Sequence, residues 1–323
     1  MTQGKDLRIV FMGTPDFAVA SLQKLVENKY NVVGVITAPD RPAGRGKKLA
    51  ESAVKKYALA NKLKVLQPEK LKNQEFLAEL KGLKADLQVV VAFRMLPEVV
   101  WAMPRLGTFN LHGSLLPQYR GAAPLNWAII NGETKTGVTT FLLDHKIDTG
   151  KILFKKEIDI WENDTVGSIH DSLMEIGADL VIETVDALAS GNYRPVPQEE
   201  MLDESGIKHA PKIYKEDCKI DWSEDLETVR NLIRGLSPYP AAWSTLINKE
   251  TGKQISTKVF FAVHADGKQK APGTIESDGK NNIKVACGNG WLQITDLQIA
   301  GKKRMKANDF LRGFQHIDQY KFD

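Results

Sequence analysis

Two polar side chains with a clear chemical use, Asn110 and His112, lie two residues apart in the segment F-N-L-H (109–112). On an extended chain such side chains point to the same face, while the apolar Phe109 and Leu111 take the opposite face. An imidazole titrates near neutrality, and a carboxamide N–H can donate to an oxygen that becomes negative in a transition state. The pair therefore predicts a catalytic centre at the end of a strand.

A carboxylate for this pair is available from Asp148, in the loop D-H-K-I-D-T-G (144–150) that follows the β-rich stretch 136–143. If the two strands are neighbours, the carboxylate can approach the imidazole and orient the ring. Ser114 lies in G-S-L-L-P and lacks the G-x-S-x-G context of a nucleophile, and no cluster has metal-ligand spacing. An oxyanion donor with a His/Asp pair suits direct acyl transfer to an incoming amine.

The alternative interpretation of His112 is a structural histidine whose hydrogen bonds are satisfied. The segment G-S-L-L-P-Q-Y-R-G-A-A-P (113–124) that follows it has two prolines and two glycines, which predict a rigid irregular loop. A polar pair at a strand end before such a loop is a common way for α/β proteins to build a site. This context favours the catalytic interpretation.

The elements that must position these residues read as an α/β fold. Apolar runs at 7–12 and 32–37 flank a helix that begins near Asp16, which predicts a β-α-β opening and a parallel, doubly wound, Rossmann-like sheet. The run 86–93 is apolar on both faces, as a central parallel strand should be. The turn Arg94-Met95-Leu96-Pro97 after it should line the same crevice as Asn110 and His112, because ligands sit beyond the carboxyl ends of such strands.

Residues 38–48 (A-P-D-R-P-A-G-R-G-K-K) combine prolines and glycines with positive charge. Their composition predicts no regular structure. Two interpretations stay open: a mobile solvated loop, or a flexible basic finger that becomes ordered on a polyanion.

The C-terminal part of the chain changes character. The polar, aperiodic stretch 190–211 is predicted to be a linker between a catalytic domain (1–189) and a C-terminal domain (212–323). Short strands separated by turns in the latter predict a small β-barrel or sandwich. Residues 207–323 hold 19 Lys and Arg against 14 Asp and Glu, a net charge of +5, whereas residues 1–206 carry −1. A basic module of this kind is either an ordinary solvated surface or a binder of phosphates.

Composition excludes other classes of protein. The chain has no apolar run of about 18 residues, the length that predicts a membrane span. The N-terminus enters a strand almost directly, which predicts no signal peptide. The two cysteines, Cys218 and Cys287, form no metal or disulfide framework, and a reducing, cytoplasmic setting is expected.

The central segment H-G-S-L-L-P-Q-Y-R-G-A-A-P (112–124) resembles the motif of folate-dependent formyltransferases, in the form found in the methionyl-tRNA formyltransferase family. The resemblance spans the chain. It includes F-M-G-T-P-D-F (11–17), T-A-P-D-R-P-A-G-R-G-K-K (37–48), L-D-H-K-I-D-T-G (143–150) and I-R-G-L-S-P-Y-P-A-A-W (233–243). It implies a Rossmann-like formyltransferase domain followed by an open, OB-like β-barrel.

The resemblance also implies an activity: transfer of a formyl group from 10-formyltetrahydrofolate to the α-amino group of methionyl initiator tRNA, without a metal and by a monomer. It assigns catalysis to Asn110, His112 and Asp148. It assigns the folate to three segments, whose residues are Phe93, Arg94, Met95 and Leu96; Ser114, Leu115, Leu116 and Pro117; and Asp144, His145, Lys146 and Ile147. The first of these, A-F-R-M-L-P (92–97), is one residue shorter than the A-Y-G-x-x-L-P common in the family and is closer to the turn of glycinamide ribonucleotide formyltransferases.

By the same resemblance, the basic loop and the end of the linker would contact tRNA. The residues assigned to this contact are Arg41, Arg45, Lys47, Lys48, Lys208 and Lys212.

Three other functions stay open at this level. A formyltransferase for a small amine would use the same three residues but would need neither the basic loop nor the basic C-terminal domain. A formyl-folate hydrolase, in which water replaces the amine, would also use these three residues. If the chain were a non-catalytic RNA-binding protein, the Asn-x-His plus Asp arrangement would have no function. A dinucleotide oxidoreductase is disfavoured, because G-T-P-D-F (13–17) lacks the second and third glycines that admit a pyrophosphate.

Overall fold

The structure is a computed structural model in which residues 3–43, 48–202 and 206–323 are described. The chain forms two compact units. The first comprises Met1–Gly121, Thr136–Ile158 and His170–His209, and the second comprises Ala122–Lys135, Asp159–Ile169 and Ala210–Asp323.

Most of the helices and strands up to residue 190 alternate along the chain in the pattern of a doubly wound fold. They are β1 (Ile9–Gly13), α1 (Asp16–Glu27), β2 (Val32–Ile36), β3 (Arg41–Ala43), β4 (Lys48–Ala50), α2 (Ala53–Ala60), β5 (Val65–Leu66), α3 (Gln74–Gly82), β6 (Leu87–Val91), α4 (Glu98–Trp101), β7 (Thr108–His112), β8 (Arg120–Gly121), α5 (Pro124–Ile130), β9 (Lys135–Leu142), β10 (Ile152–Asp159) and α6 (Val166–Ser190).

Seven strands of the first unit form one sheet in the order β10-β9-β7-β6-β1-β2-β5. The five neighbouring strands β7, β6, β1, β2 and β5 pair in parallel, and β9 runs antiparallel to β7. The strand order changes direction between β1 and β6, and in such sheets ligands bind beyond the carboxyl ends of the strands at this point. The predicted Rossmann-like fold is confirmed.

The sheet is held by burial on both faces. All five residues of β1 and of β6 are buried, which explains why their sequences are almost continuously apolar. The long helix α6 approaches β7 at Gly177, where an added Cβ would lie 2.8 Å from Leu111 Cδ2. This close approach supports β7 from the face opposite to Asn110 and His112.

Helix starts follow the local sequence. Ser52 caps α2 by accepting a hydrogen bond from Lys55 N, and Asn73 caps α3 by accepting from Glu75 N and Phe76 N. Pro124 occupies the first turn of α5, where its missing N–H costs nothing. The rigid loop after β7 therefore ends in a defined helix start.

One expectation about the basic segment 38–48 is wrong. Its flanks have regular structure, because β3 and β4 pair as an antiparallel ribbon in which Arg41 lies opposite Ala50. Asp40 at its base accepts hydrogen bonds from Lys55 Nζ (2.5 Å) and Gln67 Nε2 (2.8 Å). A two-stranded ribbon tolerates Pro42 because an edge position needs no donor there.

The elements after residue 190 are mostly short strands. They are β11 (His209–Ala210), α7 (Leu226–Gly235), β12 (Ala242–Asn248), β13 (Gln254–Ala265), β14 (Ile275–Ser277), β15 (Ile283–Ala286), β16 (Trp291–Ile299), β17 (Met305–Lys306), α8 (Ala307–Gly313) and β18 (Tyr320–Phe322).

The second unit contains an antiparallel sheet in the order β14-β15-β16-β13-β12-β18, with β17 paired to β16. A bridge between Thr274 and Lys321 joins the two ends of this path, so the sheet is nearly closed into a barrel. Its core includes Trp222, Leu246, Val259 and Leu292. The predicted small β-barrel is confirmed.

Candidate active site

Asn110 is the third residue of β7 and His112 is its last, and both lie on the same face as predicted. The two apolar neighbours are buried on the other face, with Phe109 fully buried. The His112 ring is 6% exposed, and its edge faces Phe141 at a centroid distance of 6.4 Å. The Asn110 side chain is half-buried and makes no hydrogen bond within the described ranges, so its amide is available to a ligand.

The tautomer of His112 follows from its contacts. His112 Nε2 lies 2.9 Å from the carbonyl oxygen of Tyr119. A carbonyl only accepts, so Nε2 carries a proton and Nδ1 is directed elsewhere. Nδ1 lies 3.9 Å from Asp148 Oδ2. The structure thus brings together the imidazole and the carboxylate predicted to work as a pair.

Asp148 reaches this place by an unexpected route. Because β9 is antiparallel to β7, its last residue, Leu142, lies opposite Phe109 at the beginning of β7. The loop after β9 must therefore return along β7 to the level of His112. Asp148 has a φ of 55°, in the left-handed region, which Asp adopts more readily than most residues. Its Oδ2 accepts a 3.0 Å hydrogen bond from Gly121 N.

The loop 113–119 is fastened to the sheet by hydroxyl groups. Thr139 Oγ1 donates to Ser114 O (2.6 Å) and accepts from Leu116 N (3.1 Å), and Ser114 Oγ donates to Gln118 O (2.7 Å). Ser114, Leu116 and Pro117 are buried, so any contact of theirs with a ligand involves the backbone, whereas Leu115 is partly exposed.

The three segments expected at the folate converge at Leu143. This residue packs against the apolar cluster that contains Leu96 and also against the cluster of Leu116, Phe141 and Ile152. Met95 and Ile147 are 75% and 64% exposed, which leaves two large apolar side chains free for an apolar ligand. Asp144, His145 and Lys146 are exposed, and the His145 ring contacts Trp101 of α4 edge-on.

Arg94 of the short turn is already engaged. Its guanidinium donates to the carbonyls of Pro68 and of Glu69, the latter at 2.8 Å, and it lies over the Phe93 ring. Burial and then the neighbouring Arg41 lower the Arg94 pKa from its ordinary value. In this state the side chain fastens the turn 93–96 to the loop after β5.

Four of the six residues expected to contact tRNA lie in the part of the chain that the structure describes. Arg41 is exposed at the start of β3, and Lys48 is the first residue of β4, paired with Ala43. Arg45 and Lys47 lie outside the described residues. Lys208 is exposed, and its backbone is bonded to the loop after β7: Lys208 O accepts from Tyr119 N (2.6 Å), and Lys208 N donates to Gln118 Oε1 (2.7 Å). Lys212, in the second unit, is exposed beside the Tyr214 ring.

Sequence reasoning missed two groups that shape the site. One is the backbone of 119–121, which contacts His112 and Asp148, and the other is Gln198, fully buried beside the Asp148 loop. Gln198 lies in the polar stretch interpreted as a linker, where no periodic pattern signals burial. Among the described residues no group of three or more His, Cys, Asp or Glu side chains is placed to hold a metal ion, and no helix is long and apolar enough to cross a membrane.

Comparison with known proteins gives the family. Models named Formyl transferase and Formyl transferase, C-terminal domain match residues 7–185 and 212–315. The chain is 57% identical to the methionyl-tRNA formyltransferase of Bacteroides fragilis over 98% of both chains, and 58% identical to that of Parabacteroides distasonis, again over 98% of both.

Among solved structures, an N-formyltransferase from Helicobacter canadensis in complex with folinic acid and dTDP-3-aminofucose matches with a TM-score of 0.64 at 21% identity, covering 89% of this chain and 98% of that one. At this identity the likeness concerns the fold. The sequence matches go further, and together with the site geometry they show that the chain belongs to the formyl transferase family, among the methionyl-tRNA formyltransferases.

Proposed function

We propose that this protein transfers the formyl group of 10-formyltetrahydrofolate to the α-amino group of methionyl initiator tRNA and so produces N-formylmethionyl-tRNA for translation initiation. The observation that carries this proposal is the 57% identity to a methionyl-tRNA formyltransferase over 98% of both chains. The convergence of His112 and Asp148, with Asn110 on the same strand, supplies the groups that such a reaction needs.

The folate is assigned to the three segments around Leu143, namely 93–96, 114–117 and 144–147. Exposed Met95 and Ile147 fit the apolar faces of a pterin, and the irregular backbone of the three segments offers the donors and acceptors that its ring edges need. When bound, 10-formyltetrahydrofolate supplies the formyl carbon that the amine attacks.

The roles of the three catalytic residues follow from their chemistry. Asn110 donates its amide N–H to the formyl oxygen as that oxygen becomes negative, and His112, when protonated, stabilises the same charge. Asp148 supports the positive imidazole and accepts the proton that the amine loses. That proton passes to N10 of the leaving tetrahydrofolate as the bond between N10 and the formyl carbon breaks. At 3.9 Å the Nδ1–Oδ2 distance is too long for a hydrogen bond and short enough for a shared water or amine to contact both atoms.

The partner is assigned to the basic surface. Arg41, Arg45, Lys47 and Lys48 would contact the acceptor end of the tRNA, and Lys208 and Lys212 the phosphate backbone. We assign the catalytic domain to 1–189, the linker to 190–211 and the tRNA-binding barrel to 212–323, which agrees with the family matches to 7–185 and 212–315. We place the protein in the cytoplasm as a monomer.

A formyl-transfer assay tests the proposal. With 10-formyltetrahydrofolate as donor, methionyl initiator tRNA, methionyl elongator tRNA and methionine amide are compared as acceptors. We expect product on the initiator tRNA, and a loss of about two to three orders of magnitude in rate for Asn110→Ala. His112→Ala should be at least as severe. Transfer to small amines without preference for tRNA, or release of formate, would overturn the proposal.

A further inference from the structure

The side chain of Gln198 lies fully buried in the first compact unit, with all of its hydrogen-bonding groups used. Its Oε1 accepts from Arg120 Nε (3.0 Å) and Nη2 (2.7 Å). Its Nε2 donates to the carbonyls of Asp148 (2.9 Å) and Gly150 (2.8 Å). A carboxamide has two donors and two acceptor positions, so this side chain is saturated.

These partners also determine which way the amide points. A flipped amide would set its N–H₂ group against the N–H groups of Arg120 and its oxygen against two carbonyl oxygens. Both contacts would be repulsive. Gln198 is therefore a directional link from a guanidinium to the main chain of the Asp148 loop.

The backbone near Gln198 is also held in place by hydrogen bonds. Val196 and Ile152, the first residue of β10, exchange both backbone hydrogen bonds at 2.9 Å. This bridge aligns the stretch 196–198 with the stretch 148–152, so the amide of Gln198 arrives opposite the loop that carries Asp148.

Asp148 is thus held at two points. Gly121 N binds its carboxylate, and Gln198 binds its carbonyl. Both contacts depend on one short segment, because Gly121 makes the first and the neighbouring Arg120 binds Gln198, which makes the second. Tyr119, the preceding residue, accepts the hydrogen bond from His112. The segment 119–121 therefore links the imidazole and the carboxylate.

We propose that Gln198 is a positioning residue for formyl transfer: it connects Arg120 to the Asp148 loop and so keeps the Asp148 carboxylate beside His112. This inference rests on the proposed function. It gives the stretch 196–198, which the sequence predicts to be part of a linker, a part in the active site.

The test uses two variants of the full chain. Gln198→Met keeps the volume and removes all four hydrogen bonds. Gln198→Glu keeps acceptors for Arg120 but cannot donate to the two carbonyls. Because a displacement of about 1 Å can cost about 100-fold in rate, we expect kcat to fall 10- to 100-fold in both variants, with KM for folate and for tRNA changed less than about threefold.

A double variant separates positioning from general destabilisation. In an Asp148→Asn background, Gln198→Met should lower kcat by less than about twofold, because its effect passes through the Asp148 carboxylate. Gln88→Met is the control: Gln88 is a fully buried glutamine of β6 whose Oε1 accepts a hydrogen bond from Thr108 Oγ1 and whose Nε2 has no hydrogen-bond partner among the described residues. Its side chain makes no hydrogen bond to the Asp148 loop, so this substitution should leave kcat unchanged.

The inference is overturned if Gln198→Glu has the wild-type kcat, or if Gln198→Met lowers kcat equally in the wild-type and Asp148→Asn backgrounds. A crystal structure of Gln198→Glu gives a readout apart from activity: the distance from His112 Nδ1 to Asp148 Oδ2 should exceed 3.9 Å, and an unchanged distance counts against the proposal. A wild-type protein that formylates no methionyl-tRNA would instead refute the proposed function.

Discussion

At the scale of single residues, the effect of the negative charge of Asp148 can be tested separately from the effect of its position. The carboxylate faces His112 Nδ1 and accepts a hydrogen bond from Gly121 N. In Asp148→Asn the amide oxygen still accepts that bond, so the loop should keep its place while the negative charge is lost. We expect kcat to fall by about two to four orders of magnitude.

Rates of formylation at saturating substrates, with melting temperature as the check on folding, measure this effect. Asp171→Asn is the matched control, since it makes the same chemical change on a side chain that is 78% exposed. A kcat for Asp148→Asn within fivefold of the wild type would show that the charge is not needed.

At the scale of elements, the loop between β9 and β10 decides whether the site assembles. A Cβ added to Gly150 would overlap the carbonyl oxygen of Leu142, which is backbone and cannot move aside without the strand. Gly150→Ala should therefore displace the loop, break its bond to Gln198 and lower kcat at least 100-fold.

The control for Gly150→Ala is Gly82→Ala, at the last residue of α3, where an added Cβ meets nothing within 4 Å. It should leave kcat unchanged and melt at the same or a slightly higher temperature. Wild-type activity in Gly150→Ala would mean that loop placement does not depend on this close contact.

The second unit offers an element-scale test of electrostatics at Asp296, which is 5% exposed and binds Arg304 and Lys306. Burial alone would raise the Asp296 pKa, but these two partners outweigh it and hold the pKa below its ordinary 3.8. A pKa lowered by folding stabilises the protein above the unfolded value, and this contribution is lost as the pH falls through the folded value.

We therefore expect Asp296→Asn to cost about 1–3 kcal/mol of unfolding free energy at pH 7, with the difference shrinking below about pH 4. Melting temperatures of both proteins between pH 3 and pH 7 measure it. Asp309→Asn, which removes an exposed pair with Arg312, should matter little at any pH. A difference that stays constant with pH would contradict the ion-pair argument.

Sequence patterns predicted elements well where the period of apolar residues decides the structure. The strands β1, β2, β6 and β9 and the placing of Asn110 and His112 on one face of β7 could be predicted, because burial on one or two faces leaves a readable pattern. The same reasoning cannot show that β9 returns antiparallel, since its residues would be equally apolar in either direction.

Site groups that act through the backbone or through tertiary burial were beyond sequence reasoning. Tyr119 and Gly121 contribute a backbone carbonyl and a backbone N–H, groups that every residue except proline has. Gln198 lies in a polar, proline-containing stretch whose composition predicts exposure, and its burial depends on tertiary contacts such as the bridge between Val196 and Ile152. The roles of Asn110, His112 and Asp148 as catalytic residues remain predictions.

At the scale of the whole molecule, the distribution of charge predicts how the enzyme meets its partner. Residues 207–323 carry a net charge of +5, while the rest of the chain is close to neutral. Binding that neutralises phosphates releases counterions, so log(kcat/KM) on methionyl-tRNA should fall linearly with log salt concentration, by about one unit of slope for each phosphate contact.

Lys212 tests whether this slope belongs to a defined surface. Lys212→Ala should lower kcat/KM on methionyl-tRNA at low salt and reduce the slope by about one unit. Lys72→Ala removes the same charge from an exposed position after β5 and should leave the slope unchanged. Salt screens every surface charge, whereas a particular lysine contributes to counterion release only if it binds a phosphate. Equal effects of the two variants would therefore indicate attraction of tRNA by the overall surface charge. A kcat/KM that is flat between low and moderate salt would count against electrostatic tRNA binding altogether.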